Sequence, residues 1–453
     1  MTISYDVKLW DIRRNPSSKS PSYMVRWKVG GKEKSKTLRT KALAENFLSD
    51  LRQAARNGEP FDIATGLPAS LQAVAPRKTF LAFAQTYMEA RWIHTAARTR
   101  ETMTYALMSL VPALVKDLPG KPMDEELRAV LRSYALLPAK RRGEPPAEYI
   151  AALRWLESAS RPLGDLQEPN IVRAALDAIA LRFDGKPAAA NAVRRKRGVF
   201  HHMMETAVEL KELPSNPLKL VKWKPPKTAA SVDPRTVVNP VQARALLAAV
   251  TQVGRSRGPR LAALFACMYY AALRPEEAAG LRRQNCELPT EGWGLIVLER
   301  ARPQANKRWT DSGESHDSRG LKHRAVDDTR EIPIPPRLVQ ILREHIERHG
   351  LAGDGRLFRT SGGRPFSASA YSGVWRIARE LALTPEQAAS PLAARPYDLR
   401  HAAVSLWLNA GVPPTEVAQR AGHGVDVLLR VYAKCIEGQR PRANRQISDA
   451  LDV

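Results

Sequence analysis

Near the start of the chain, apolar and polar residues alternate with the two-residue period of a β-strand. Residues 23–29 read YMVRWKV, so one face of the predicted strand is apolar and the other is largely basic. Gly30-Gly31 predicts a two-residue hairpin turn into a Lys-rich strand over 32–38. An earlier strand over 5–12 would complete a three-stranded sheet, and Thr40 is the predicted N-cap of a helix that follows it.

The hydrophobic pattern then changes to the period of an α-helix. Apolar residues recur at helical spacing through 78–213, which predicts a set of packed helices. Pro-containing segments at 59–77 and 213–235 flank this region and are typical of linkers. After residue 236, amphipathic helices are interrupted by short strand patterns at 295–298 and 329–334. We therefore predict a mainly α protein with small β-sheets (α+β) and three domains: 1–62, 78–213 and 236–453.

The net charge narrows the class of partner. The 453 residues include 71 Lys and Arg against 46 Asp and Glu, a formal charge of +25, so the expected partner is a polyanion. No apolar run approaches the ~20 residues needed to span a bilayer, and no signal peptide opens the chain, so we expect no membrane partner.

The three cysteines are widely spaced and odd in number. They support neither a disulfide framework nor a zinc site, and they favour a reducing cytoplasm.

Two clusters of basic residues are candidates for contacts with that polyanion. A two-stranded ribbon fits the DNA major groove, and the ribbon predicted here carries Arg26, Lys28, Lys34 and Lys36. In the helix predicted over 188–210, four adjacent bases point around more than half of the helix and cannot all be buried: Arg194, Arg195, Lys196 and Arg197. A solvated basic surface is the alternative for both clusters. For the ribbon we favour the DNA groove, because its outward side chains are Arg and Lys.

The stretch from Tyr397 to Tyr432 carries the candidate chemistry. It reads YDLRHAAVSLWLNAGVPPTEVAQRAGHGVDVLLRVY and predicts three short helices joined by tight turns. Arg400, His423 and Tyr432 can converge from these helices although they are far apart in the chain. Such a grouping of a guanidinium, an imidazole and a phenol indicates phosphate chemistry.

The order of these residues resembles the C-terminal signature of the tyrosine recombinase (phage integrase) family: Arg-His, then Gly-His, then a Tyr nine residues after that His. An upstream Arg-x-x-Glu element of the family is matched by ALRPEEAAGL at 272–281, which contains Arg274 and Glu277. The resemblance implies a mixed α/β catalytic domain preceded by a helical core-binding domain. The N-terminal sheet and helix resemble the arm-site-binding domain of larger integrases.

The resemblance also implies roles for these residues. Arg274 and Arg400 would grip the non-bridging oxygens of a DNA phosphate and stabilise the charge of the transition state. Tyr432 would attack the phosphorus and form a 3′-phosphotyrosine. His423 would donate a hydrogen bond to a phosphate oxygen, and Glu277 would hold a guanidinium in place.

Three further positions are open to more than one interpretation. Lys322 is the expected proton donor to the leaving 5′ oxygen, but it lies eleven residues before Pro333, and Lys307 competes with it. Tyr397 stands where the family most often has His, and its phenol can still donate a hydrogen bond. His401 is expected to be a structural hydrogen-bonding residue rather than a catalyst.

Taken together, the resemblance implies an integrase that cleaves and rejoins double-stranded DNA at attachment sites of a phage or other mobile element. It implies a homotetramer on DNA, neither metal nor other cofactor, and a cytoplasmic, nucleoid-associated location. Accessory partners would be a directionality factor or a host DNA-bending protein. The alternatives are a relaxing enzyme like the type IB topoisomerases and a non-catalytic DNA-binding regulator.

Overall fold

The structure, a computed structural model, describes residues 3–15, 22–68, 70–71, 78–228, 231–317, 319–321, 328–435 and 440–451. The chain forms two compact units, one comprising residues 1–78 and the other residues 79–453. No helix in these described ranges is both long enough and apolar enough to cross a lipid bilayer.

The first unit is a small antiparallel sheet covered by one helix. Its elements are β1 (Ile3–Ser4), β2 (Val7–Leu9), β3 (Arg13–Asn15), β4 (Ser22–Val29), β5 (Lys32–Leu38), α1 (Lys41–Arg56) and β6 (Phe61–Asp62). β4 pairs with β5 on one edge and with both β2 and β3 on the other. The sheet is therefore three strands wide, as predicted, but two short strands, β2 and β3, take the place of its first strand. Gly30 and Gly31 both have positive φ, which closes the hairpin, and the Thr40 hydroxyl caps α1.

The second unit begins with a helical region. Its helices are α2 (Phe80–Trp92), α3 (Ala97–Leu110), α4 (Asp124–Val130), α5 (Ala139–Arg142), α6 (Ala147–Ala159), α7 (Pro169–Ala180) and α8 (Ala190–Glu209). Buried aromatic and aliphatic side chains from these helices, such as Phe80, Phe83 and Phe200, form one core. The predicted helical character of this part of the chain is therefore confirmed.

A mixed α/β region follows. Its elements are α9 (Pro240–Val250), α10 (Arg257–Tyr270), α11 (Pro275–Gly280), β7 (Cys286–Glu287), β8 (Gly294–Leu298), β9 (Arg300–Ala301), β10 (Arg319–Gly320), β11 (Arg330–Ile334), α12 (Pro336–His349), α13 (Ala368–Ala382), α14 (Pro385–Ala389), α15 (Asp398–Asn409), α16 (Pro414–Ala421), α17 (Val425–Tyr432) and α18 (Arg440–Leu451). β8 is the central strand between β7 and β11. The apolar residues of this sheet share one core with α9, α10, α12 and α13.

The loop 302–317 joins the helical region to the mixed region. It leaves from β9, which pairs with β10, and Trp309 at its tip is buried in the core of the helical region, 5.8 Å from Trp92 between ring centroids. The Arg100 guanidinium donates to the Trp309 carbonyl at 2.7 Å and to both carboxylate oxygens of Asp311 at 3.0 Å. A loop with a polar sequence is therefore ordered by a second region of the protein.

Candidate active site

The predicted site residues lie at the ends of short helices, where backbone groups are free to hold them. Arg274 is the N-cap residue of α11, Arg400 lies in the first turn of α15, and Tyr432 ends α17. Gly422 terminates α16 with a left-handed φ of 65°, which turns the chain so that His423 points back toward α15. The structure brings Arg274, Arg400, His423 and Tyr432 together.

Glu277 is the anchor of this group, because two guanidiniums bind its carboxylate. Arg274 donates to Oε1 from Nη1 at 2.7 Å and to Oε2 from its backbone N–H at 2.8 Å. Arg330 donates to Oε2 at 2.7 Å and to Oε1 at 3.1 Å. Burial opposes ionisation of Glu277, but the charges of Arg330 and then Arg274 outweigh it and lower its pKa to about 2.

Arg330 is a site residue that the sequence analysis missed. It is 2% exposed and occupies the first inward position of β11, on the same face as Ile332 and Ile334. A charged residue at an inward position of a buried strand needs a charged partner, and this was the signal available in the sequence. Lys322, eight residues earlier in the chain, lies outside the described residues.

Backbone carbonyls hold the two predicted phosphate-binding guanidiniums from behind. Arg274 donates from Nη2 to the Gly422 carbonyl at 2.8 Å. Arg400, fully buried, donates to the carbonyls of Ala272 and Ala421. Ala272 has a φ of 49°, which is uncommon for a residue with a side chain and turns its carbonyl toward Arg400. Both guanidiniums are therefore positioned by the fold.

The protonation of His423 follows from its contact with Arg400. Its Nε2 lies 2.9 Å from Nη2 of Arg400, and since a guanidinium only donates, Nε2 must be the acceptor. Burial, followed by the charges of Arg400 and Arg274, lowers the pKa of His423 to about 3. The ring is therefore neutral with its proton on Nδ1, and this atom is buried without a hydrogen-bond partner among the described residues. An N–H donor is free for a phosphate oxygen.

The Tyr432 hydroxyl lies 2.9 Å from Nδ1 of His401. Tyr432 is 1% exposed, and burial raises its pKa although the charge of Arg400 opposes this. Burial also lowers the pKa of His401 to about 4, so a neutral imidazole faces a neutral phenol. The ring of Tyr397 packs 5.0 Å from that of His401, and the ring of His423 lies 6.1 Å from that of Tyr432. His401 is thus a hydrogen-bonding residue whose partner is the predicted nucleophile.

The predicted DNA-contacting residues of the first unit divide between the two faces of its sheet. Arg26 is paired across the hairpin with Ser35 and Lys28 with Glu33, on the face opposite the core residues Val25 and Trp27. Lys36 pairs with Val25 and Lys34 with Trp27, which places both lysines on the face that α1 covers. Lys34 donates to the Ala64 carbonyl at 2.6 Å, and Lys36 lies 4.3 Å from the centre of the Phe47 ring. The open face therefore presents only two of the four predicted residues.

The basic cluster of α8 is divided in a similar way. Arg194 and Arg195 are exposed. Lys196 donates to the Ser109 hydroxyl at 2.9 Å, and burial lowers its pKa. The Arg197 guanidinium lies 4.6 Å from the ring centre of Trp223. Two of these four bases thus also serve packing within the protein.

No group of three or more potential metal ligands among His, Cys, Asp and Glu occurs in the described part of the chain. Its cysteines, Cys267, Cys286 and Cys435, are buried. Lys307, the competitor of Lys322, is exposed on the loop 302–317 and lines a separate basic cleft.

Comparison with known proteins gives one family and several structural likenesses. Residues 236–436 match the phage integrase family. An integrase of Streptomyces ambofaciens is 33% identical over 128 residues, which are 26% of this chain and 32% of that protein, so the match spans about a third of the relative's length.

Solved structures to which this chain is similar include the Tn1549 transposon integrase in complex with transposon right end DNA (16% identity, TM-score 0.46, covering 73% of this chain and 99% of that one). The XerH recombinase bound to difH substrate has 12% identity and a TM-score of 0.47, covering 82% and 96%. A lambda integrase tetramer bound to a Holliday junction has 12% identity and a TM-score of 0.46, covering 91% and 95%.

Proposed function

We propose that this chain, whose residues 236–436 match the phage integrase family, is a site-specific DNA recombinase that cleaves and rejoins DNA strands. Its substrate is double-stranded DNA carrying attachment sites, and its biological role is to integrate or excise a mobile element. It acts as a homotetramer in the cytoplasm, at the nucleoid.

One arrangement carries this proposal: a neutral phenol beside two buried guanidiniums and a free imidazole N–H. Arg274 and Arg400 bind the non-bridging oxygens of the scissile phosphate, and His423 donates to one of them from Nδ1. Because Glu277 and the backbone carbonyls already hold both guanidiniums, little reorganisation is needed when the negative charge of the transition state develops.

In the cleavage step, the Tyr432 oxygen forms a bond to phosphorus and the bond to the 5′ oxygen breaks. The phenol proton passes to Nδ1 of His401, which is the nearest acceptor at 2.9 Å. Lys322 supplies a proton to the departing 5′ oxygen, and Tyr397 donates a hydrogen bond to the phosphate. The phosphotyrosine conserves the energy of the broken phosphodiester bond. In rejoining, the 5′ oxygen attacks the phosphorus, the bond to the Tyr432 oxygen breaks, and the proton transfers are reversed.

A nicked suicide duplex containing the attachment site tests the proposal. We expect the protein to become covalently attached to the 3′ end at the nick, and Tyr432→Phe to bind the same duplex without attachment. Tyr371→Phe is a matched control, since Tyr371 is a half-buried tyrosine on α13, outside the group around Glu277. A non-catalytic regulator would bind without an adduct in every variant, and a topoisomerase-like enzyme would attach equally well to duplexes that lack the attachment site.

A further inference from the structure

A second basic site lies away from Tyr432. A cleft of about 580 Å³ opens between the loop 302–317 and the segment that leads into α13. Five of its lining residues carry a positive charge: Arg257, Arg302, Lys307, Arg356 and Arg364. Glu314 is the acidic residue of the lining. The proposed cleavage chemistry uses none of these residues.

Arg356 is a buried arginine of this cleft that a carboxylate holds in place. It is 6% exposed, and its Nε donates to the two carboxylate oxygens of Asp354 at 2.9 and 2.6 Å. Asp354 also accepts from Nη1 of Arg302 at 3.0 Å, so one carboxylate serves two guanidiniums. Nη1 of Arg356 is buried and has no hydrogen-bond partner in the described ranges. A buried N–H donor on a cation, in a cleft with surplus positive charge, is an unfilled position for an anion.

The pKa of His316 reflects the positive charge of the cleft. It is 8% exposed, and burial followed by the charges of Arg302 and Arg356 lowers its pKa. The imidazole is therefore neutral at neutral pH, and the positive charge of the cleft comes from its arginines and Lys307. An anion bound beside these guanidiniums would stabilise the imidazolium and move the His316 pKa back toward its ordinary value.

We propose that this cleft binds a phosphoryl group of the DNA backbone, away from the phosphate that Tyr432 attacks. Guanidinium groups match the geometry of phosphate oxygens and bind them in a bidentate manner. The choice of DNA as the source of the phosphoryl group rests on the proposed function, while the phosphoryl chemistry rests on the cleft itself.

The same loop connects this cleft to the helical region. Six lining residues of the cleft lie on the loop 302–317, and Arg100 of the helical region holds the same loop through Asp311. Trp92 also donates to Asp311, at 2.8 Å. Release of Asp311 from the helical region would therefore remove one wall of the cleft. A phosphate bound there favours the docked loop, and the docked loop favours phosphate binding.

Salt-dependent binding to a duplex tests the proposal. In a Tyr432→Phe background, which separates binding from cleavage, Arg364→Gln and Arg257→Gln each remove one exposed charge from the cleft. We expect each to lower the slope of log affinity against log salt concentration by about 1, as for the loss of one phosphate contact. Arg337→Gln removes another exposed charge, on α12 and outside the cleft, and should leave the slope unchanged.

The titration of His316, followed by NMR of labelled histidine side chains, identifies the source of the phosphoryl group. We expect the duplex to raise the His316 pKa and Arg364→Gln to reduce that change. A rise with inorganic phosphate alone, together with unchanged salt slopes, would keep the phosphoryl site and overturn DNA as its source. Unchanged slopes together with an unchanged His316 titration in both ligands would overturn the proposal. Failure of the phosphotyrosine assay would contradict only the proposed function.

Discussion

Replacing Glu277 by Gln removes the carboxylate that holds two guanidiniums. Glu277 is 1% exposed, and its pKa falls from the ordinary 4.5 to about 2 because Arg330 and Arg274 outweigh the effect of burial. At about 1.4 kcal/mol per pKa unit, that change corresponds to about 3 kcal/mol of stability. Breaking a buried ion pair by removing one partner costs about 3–5 kcal/mol, which agrees with this value.

We therefore expect Glu277→Gln to lower the free energy of unfolding by about 3 kcal/mol, measured by urea denaturation at pH 7. Because the folded pKa is depressed, this contribution is fully present above pH 4.5 and disappears as the pH falls toward 2. The difference between wild type and variant should therefore shrink in acid. Covalent attachment to the suicide duplex should slow by about 100-fold, since Arg274 loses its fixed position.

Glu276→Gln is the matched control. Glu276 is the adjacent residue of α11 and is only half-buried, and in the described structure the Arg330 guanidinium donates to Glu277 instead. We expect its effect on the free energy of unfolding to stay within about 0.5 kcal/mol. Equal stability and equal attachment rates in the two variants would refute the conclusion that Glu277 anchors the site.

Three other perturbations test separate parts of the structure. His401 and His423 are neutral in the folded protein, with pKa values of about 4 and 3. As the pH falls below 6.5, these two histidines bind protons in the unfolded chain before they do so in the folded protein. The melting temperature should therefore fall from pH 7 to pH 5, and it should fall less in a variant with Asn at both positions. Gly422→Ala should lower the free energy of unfolding by about 1–3 kcal/mol in urea denaturation, because φ is 65° and a Cβ would overlap Nη1 of Arg330, which Glu277 holds in place. A melting temperature equal to wild type would contradict this. Trp309→Ala should speed amide hydrogen exchange in its loop while leaving exchange in α17 unchanged; equal exchange in the loop would show that docking does not order it.

Part of the candidate site could be predicted because its residues occur in local patterns. Arg274 and Glu277 are one helical turn apart, and the predicted contact between them is present at 2.7 Å. Arg330 comes to the same carboxylate from 53 residues away. No local pattern encodes that approach, because it depends on which strand lies beside β8.

The sequence by itself determined the type and order of the elements: the hairpin at Gly30-Gly31, the helical region and the three short helices that end at Tyr432. These elements follow from hydrophobic periodicity and from turn residues. Both signals depend on residues close together in the chain, so they can be recognised in the sequence. The tertiary structure alone decided that Lys34 and Lys36 face α1, that the loop 302–317 docks by Trp309, and that a neutral His401 contacts Tyr432. These outcomes depend on strand register and on burial between distant segments, where the free energy of a charge or an aromatic ring is set by its neighbours in space.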